Sequence, residues 1–487
     1  MAKLEDLKKI IDYNLGKIDI SNDAKEQLRQ RAHGAGSKRL LGARFRYTAA
    51  VAIISLICFV GFNIFDNKPV VVKANNLMQG ISPTKVQVVS LDNKFIDATA
   101  NFSIELFKKS INKDKNSVIS PMSVYLALGM TGNGADRNTL KQFEFLLGNN
   151  KLSLDELNNY YYSFINSFSN IKAKEFKVSN SIWYGSKDEL DVYKDFLQKN
   201  ADYYGADAYN VDFNSNNTLN DINNWVKANT NNRIDKILDS IDRDAMMYLI
   251  NTIYFNGQWE KQYSSKDIHN GAFYTNGIVP KPYVDNNMIQ ESQSSNTLNN
   301  DNSSVYLDFM NSEENKYLKD DMAEGFIKKY KGDKFSFVAL LPNEGVDINK
   351  YIQSISGRKF VNILRNASDK KINVSIPKFK YDYDLNINEA LKKMGFTDGL
   401  DSSKADFSKM AKESEGLFIS KVIHKASIQV DELGTKAAAS TVVEMKSAAL
   451  KINLPKCIIL NRPFVYAIVD NKTNLPIFMG TVLNPNK

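Results

Sequence analysis

The sequence predicts an α+β domain preceded by one membrane-spanning helix. Three observations predict it. Apolar residues recur at helical spacing mainly early in the chain, while short apolar or alternating runs crowd its C-terminal part. Helices and strands are therefore segregated rather than alternating as βαβ units. Residues 246–255, MMYLINTIYF, form a nearly continuous apolar run, as expected of a strand at the centre of a covered sheet. Residues 47–65 run for 19 positions without a charge.

Size and charge narrow the function. The chain has 487 residues, 43% of them hydrophobic, enough for one large core or two modest ones. Its net charge of +8 is unevenly placed: residues 1–46 hold 11 Lys+Arg against 6 Asp+Glu, which leaves +3 for all the rest. The basic character belongs largely to the N-terminus, and no nucleic-acid partner is expected. Two cysteines, Cys58 and Cys457, imply no disulfide framework. Three histidines with no Cys/His spacing imply no metal and no cofactor. The chain contains no GxSxG, Walker A or HExxH motif, so an enzyme is not expected.

Taken in order, residues 1–46 are a basic, polar segment. Leu4, Leu7, Ile10 and Ile11 within it favour a short amphipathic helix. Residues 47–65, from Tyr47 to Phe65, would reach roughly 28 Å as a helix, enough to cross a bilayer core. Lys38, Arg39, Arg44 and Arg46 precede the run, which places the N-terminus in the cytoplasm and everything after Phe65 outside. The alternative is a cleaved signal with its cut near Ala74; the long n-region and long apolar core favour a retained anchor. Residues 66–94, with Pro69 and Pro83, read as a spacer.

The globular domain is expected over 95–487. Residues 100–109 predict a helix. At 117–128 a short strand precedes a helix opened by Pro121 and capped by Ser120. A turn and a helix follow at 132–147, a strand at 180–184 and an amphipathic helix at 219–227. Residues 280–304 are rich in Asn and Ser and read as a long surface loop, an insertion or a recognition element. Residues 335–341 form a strand closed by Pro342. Residues 372–380 alternate as a strand that Pro377 must bulge or push to an edge. Residues 388–394 form a helix stopped by Gly395. Strands are expected at 456–460, 464–470 and 476–482.

Residues 429–449, QVDELGTKAAASTVVEMKSAA, are the unusual stretch. Read at a two-residue period, Thr435, Ala437, Ala439 and Thr441 form one small, uncharged face. Lys436, Ala438, Ser440 and Val442 form the other. Such a segment could slide between two existing strands. The same alanines would equally favour a helix after Gly434.

Seven segments resemble the serpin family, in family order over 95–485. They are NSVISPMSVYLALGMTGNGADRNTL (116–140), INNWVKANTNNRIDKIL (222–238), LINTIYFNGQWEKQY (249–263), FSFVALLPNEG (335–345), VSIPKFKYDYDLNINEALKKMGF (374–396), LFISKVIHKASIQVDELGTKAAAST (417–441) and RPFVYAIVDNKTNLPIFMGTVLNP (462–485). The resemblance, to a membrane-anchored member of bacterial type, implies three β-sheets, about nine helices and an exposed reactive-centre loop over 431–455. It implies a suicide inhibitor of serine, or cysteine, endopeptidases. The protease attacks the loop, and the loop inserts into the central sheet before the acyl-enzyme hydrolyses.

The resemblance also assigns residues. Glu432, Gly434, Thr435, Ala437, Ala438, Ala439, Ser440 and Thr441 match the hinge. The reactive bond falls at Ala448–Ala449, with Lys446–Ser447 as rival, so elastase-like or subtilisin-like targets are favoured over trypsin-like ones. Ser120, Ser123, Asn180 and His424 match a polar cluster where the central sheet opens. Trp259 matches the aromatic beneath the loop's entry, and Lys378 the partner of Glu432. Arg137 stands where the family usually has glycine; Leu433 and Lys436 stand where it usually has acids. A monomer with no catalytic residue of its own is expected. The other reading is a non-inhibitory serpin fold used as a tethered binding or signalling module.

Overall fold

The structure, a computed structural model, describes residues 72–172, 175–185, 191–280, 303–435 and 456–487. The described chain runs β1 (Asn75–Asn76), α1 (Asn93–Ser110), β2 (Ser117–Ile119), α2 (Pro121–Gly132), α3 (Arg137–Gly148), α4 (Leu154–Asn166), β3 (Phe176–Gly185), α5 (Lys194–Tyr204), β4 (Asp207–Val211) and α6 (Asn216–Asn229). It continues through β5 (Met247–Phe255), β6 (Ile268–Tyr274), β7 (Ser304–Lys319), β8 (Ala323–Lys329), β9 (Phe335–Pro342), α7 (Ile348–Ser354) and α8 (Gly357–Arg365). It ends with β10 (Ser368–Pro377), β11 (Phe379–Asn386), α9 (Asn388–Lys393), β12 (Lys421–Val430), β13 (Lys456–Ile459), β14 (Phe464–Asp470) and β15 (Pro476–Val482). The nine α-helices among the described residues match the expected number.

The apolar run becomes β5, at the centre of a six-stranded sheet ordered β1-β4-β3-β5-β12-β11. Leu249 and Ile250 point to opposite faces and both are fully buried. Each contributes about 1.5–3 kcal/mol by leaving water. Leu249 packs towards a second sheet, and Ile250 towards α6 through Trp225 and Val226. Helix α2 is buried along its whole length. Pro121 opens it and the Ser120 hydroxyl accepts from the Ser123 N–H, so its first turn is satisfied inside the protein.

Three expectations need correction. The described strands form two sheets, not three. The second is a nine-stranded sheet along β13-β10-β7-β8-β9-β14-β15-β2, with β6 also on β7. The 16-residue β7 causes the fusion: β6 pairs with its first half, β8 with its last four residues, and β10 along its other edge from Phe309 to Tyr317. The single strand expected at 372–380 is two strands in different sheets. Pro377 has no N–H to donate and ends β10; the chain crosses at Lys378, whose N–H goes to the Asp308 carbonyl at 2.8 Å.

The expected spacer is also packed against the body from residue 72 onward. The Lys73 N–H reaches Asp221 of α6 at 3.0 Å, β1 pairs with β4, and the Val89 N–H reaches Ser163 at 2.8 Å. Leu77, Met78, Ile81 and Leu91 lie on the core. Leu77, Met78 and Ile81 keep helical spacing, but the segment forms turns rather than a helix, so period alone does not place these anchors. The expected span at 47–65 and most of the 280–304 insertion lie outside the described residues. Among the described residues no helix is long and apolar enough to cross a membrane.

Candidate functional site

The central sheet is split. β5 and β12 run parallel, but their ladder closes only over Tyr248–Lys421, Leu249–Val422 and Ile250–Ile423. Above that level the two strands continue to Phe255 and Val430 without pairing to each other. Their other edges are occupied, β5 by β3 and β12 by β11. The facing backbone groups of β5 and β12 above that level are therefore not paired to each other, and an incoming strand would satisfy them.

A polar cluster sits where the ladder stops. His424 Nε2 accepts the Ser120 N–H at 3.0 Å, and the Ser120 hydroxyl donates to the Ile477 carbonyl at 2.7 Å. On the β5 side, Ser123 donates to Asn251, and Asn251 donates to Asn180. Asn180 also donates to the Tyr204 carbonyl at 3.1 Å. The four residues expected here are brought to one place, each side of the split tied to the start of α2. Burial pulls the His424 pKa down from an ordinary 6.5 to about 4, so the ring is neutral and its bonded nitrogen is free to accept. Asn251 was not anticipated. Its signal is nevertheless visible, as one amide inside an otherwise apolar run.

The mouth of the split is closed by the hinge. The Trp259 N–H donates to the Leu433 carbonyl, the Tyr263 N–H to the Glu432 carbonyl, each at 3.0 Å, and the Trp259 indole to the Asp431 carbonyl at 2.8 Å. Gly434 bridges Gln258. A Cβ on Gly434 would overlap the Gly257 carbonyl oxygen, and its φ of +153° is one that glycine accepts. Thr435 is already inside. It is 4% exposed, its N–H is on the Gly257 carbonyl at 2.8 Å, and its hydroxyl is 2.6 Å from that of Tyr330. Glu432 pairs with Lys378 at 3.1 Å with both side chains mostly shielded, and Lys378 reaches Asp308 at 3.4 Å. The pair is thus less open to solvent than a surface pair and is screened less by salt.

Two supports beneath the mouth left no sequence signal. Tyr330 stacks on Trp259 with ring centroids 4.6 Å apart. Lys328 is buried, pairs with Glu314 at 2.7 Å, and places Nζ 5.3 Å from the Trp259 ring centroid and 4.5 Å from that of Tyr263. A buried cation needs such partners. Ala437, Ala438, Ala439, Ser440 and Thr441, and both candidate bonds, Ala448–Ala449 and Lys446–Ser447, lie outside the described residues. Among the described residues no cluster of His, Cys, Asp and Glu could hold a metal ion.

The split central sheet, with Gly434 and Thr435 lodged at its mouth, is the frame in which the comparisons with known proteins are read. The family profile described as Serpin (serine protease inhibitor) matches residues 97–485. The chain belongs to the serpin family.

Serpin B6 of Macaca fascicularis is 28% identical over 401 residues, 80% of this chain and 99% of that protein. Intracellular coagulation inhibitor 2 of Tachypleus tridentatus is 30% identical over 394 residues, 79% of this chain and 90% of that protein. The thermophilic serpin tengpin in its native state is 44% identical, with a TM-score of 0.74, over 85% of this chain and all of that one. In its latent state the same serpin matches at a TM-score of 0.67, over 82% of this chain.

Proposed function

We propose that this chain is an extracytoplasmic, membrane-tethered suicide inhibitor of serine endopeptidases. The observation that carries the reading is the open interval between β5 and β12 with Gly434 and Thr435 lodged at its mouth. A protease that attacks the loop near Ala448 would form an acyl-enzyme. Cleavage would release the peptide that begins at Ala449, and entry of the residues between Thr435 and Ala448 into the interval would then carry the ester away before hydrolysis. At about 3.3 Å per residue, roughly 14 inserted residues move it some 45 Å. The driving force is the new strand: each residue exchanges water for sheet partners on both sides. The better match to native than to latent tengpin supports a state with the loop still outside.

The anchor reading rests on the uncharged run at 47–65 and on the basic residues before it. The preference for elastase-like or subtilisin-like targets rests on the small Ala448 before the bond. Incubation of the protein with elastase, subtilisin and trypsin, followed by denaturing gels and N-terminal sequencing of the released peptide, tests mechanism and bond together. A stable adduct and a peptide beginning at Ala449 are expected. Thr435→Arg would place a cation against Tyr330 and Trp259, at a cost of several kcal/mol unpaired. It is expected to turn inhibitor into substrate, and adduct at the unmutated yield would overturn the reading.

A further inference from the structure

An asparagine followed by glycine is open to attack by its own backbone. The glycine nitrogen can close a five-membered ring on the asparagine Cγ, and no Cβ shields it. The chain carries this dipeptide four times, at Asn133–Gly134, Asn256–Gly257, Asn270–Gly271 and Asn276–Gly277. The fold restrains three of them. Asn133 is buried, its amide donates to Asn158 at 3.3 Å, and the Gly134 N–H donates to the Thr131 carbonyl at 3.0 Å. Asn270 and Gly271 sit inside β6, in register with Asp308 and Leu307 of β7. Asn276 accepts the Ile278 N–H at 3.0 Å, and the Gly277 N–H donates to the Tyr274 carbonyl at 3.0 Å.

Asn256–Gly257 differs. It follows the last residue of β5 and is half-buried. Among the described residues, neither the Asn256 side chain nor the Gly257 N–H makes a hydrogen bond. The nucleophile and the group it attacks are both unengaged. Glycine is nonetheless required at 257: an added Cβ would overlap the Phe255 ring and lie 2.8 Å from that of Tyr330. Packing under the hinge therefore keeps the susceptible dipeptide in place. What Gly257 touches gives the reaction a consequence. Its carbonyl accepts the Thr435 N–H at 2.8 Å, and the next residue, Gln258, bridges Gly434.

We propose that Asn256 is a site of spontaneous deamidation whose product loosens the hold on Thr435. The Gly257 nitrogen bonds to the Asn256 Cγ, the Cγ–Nδ2 bond breaks, and the Gly257 proton leaves with Nδ2 as ammonia. Water then opens the succinimide at either carbonyl, giving aspartate or isoaspartate. One water is consumed, one ammonia is released, and nothing is oxidised. In isoaspartate the main chain runs through the former side chain, which lengthens it by one carbon, about 1.5 Å, directly before Gly257. The carbonyl that holds Thr435 and the bridge at Gln258 are displaced with it. The site stands whether or not the chain inhibits a protease.

The test ages the full chain at mildly alkaline pH and maps its peptides by mass spectrometry, with isoaspartyl methyltransferase as the label. The Asn256 peptide should gain one mass unit and accept methyl several-fold faster than the peptides carrying Asn133, Asn270 and Asn276. In urea the four should convert at similar rates, because only the fold separates them. Hydrogen exchange then reads the hinge: the Thr435 N–H should exchange about fivefold faster or more in aged protein, as expected for one lost hydrogen bond. Asn256→Gln, which lacks the five-membered route, should keep its mass and its exchange rate on ageing. Unaged Asn256→Asp, which adds the charge without the extra carbon, should exchange like unaged wild type. A folded protein in which Asn256 converts no faster than the other three, or a preference that persists unchanged in urea, overturns the site. Isoaspartate at 256 with Thr435 exchange unaltered, or unaged Asn256→Asp that exchanges at the aged rate, overturns the effect on the hinge.

Discussion

Arg137 is held at a φ of +46°, a left-handed conformation that costs a non-glycine residue about 1–2 kcal/mol. Its guanidinium reaches Asp406 at 3.4 Å but is largely in solvent, so the pair returns little. Arg137→Gly is therefore expected to stabilise the uncut protein by about 0.5–1 kcal/mol in urea unfolding. His424 works in the opposite sense. Its folded pKa of about 4 lies below the ordinary 6.5 because burial disfavours the charged ring. The stability this neutral ring permits is fully present above pH 6.5 and is lost as pH falls from 6.5 to 4. The loss is on the order of 3 kcal/mol. Protonation would also remove the acceptor that holds the Ser120 N–H. Unfolding free energies of wild type and His424→Gln, measured across that window, should differ in slope there and run parallel below pH 4.

Helix α2 is the joint between the two halves of the split. Ser120 binds β12 through His424, and Ser123 binds β5 through Asn251, which passes the connection on to Asn180 in β3. Asn251→Ala would leave Asn180 and Ser123 buried with fewer partners. The expected cost is about 1–3 kcal/mol, and denaturant titration reads it. Ser120, Ser123, Asn180 and His424 were named through the family resemblance; local pattern marked only Ser120, as the cap before Pro121, and Asn251 was missed although it interrupts an apolar run. Other parts were not legible locally. Lys328 and Tyr330 sit in a charged stretch, KKYKGDK, whose local pattern says surface; only the fold brings the Lys328 cation onto Trp259 and Tyr263. Pro377 announced an interruption but not a change of sheet, since a strand's partners are set by distant chain. Packing of 72–91 was not read because its four anchors, Leu77, Met78, Ile81 and Leu91, are too few to define a period and lie in turns and coil.

At the scale of the molecule, local sequence and tertiary frame serve different states. The described body packs around two sheets, whereas β5 and β12 are not paired to each other above Ile250 and Ile423, and Thr435 lodges against Tyr330 at the mouth of that interval. The hinge is built for this. Gly434 allows the close approach to Gly257, Thr435 is short enough to lodge against Tyr330, and the alanines after Lys436 offer no bulk to the core. The central claim is that the uncut protein is not at its lowest free energy, and that the unspent part is the strand still to be added. Thermal melting before and after a single cut within residues 436–455 tests it most directly. About ten newly paired residues, at about 1 kcal/mol or more each, should raise the melting temperature by about 10 °C or more. A cut protein that melts at or below the temperature of the intact one would contradict the account.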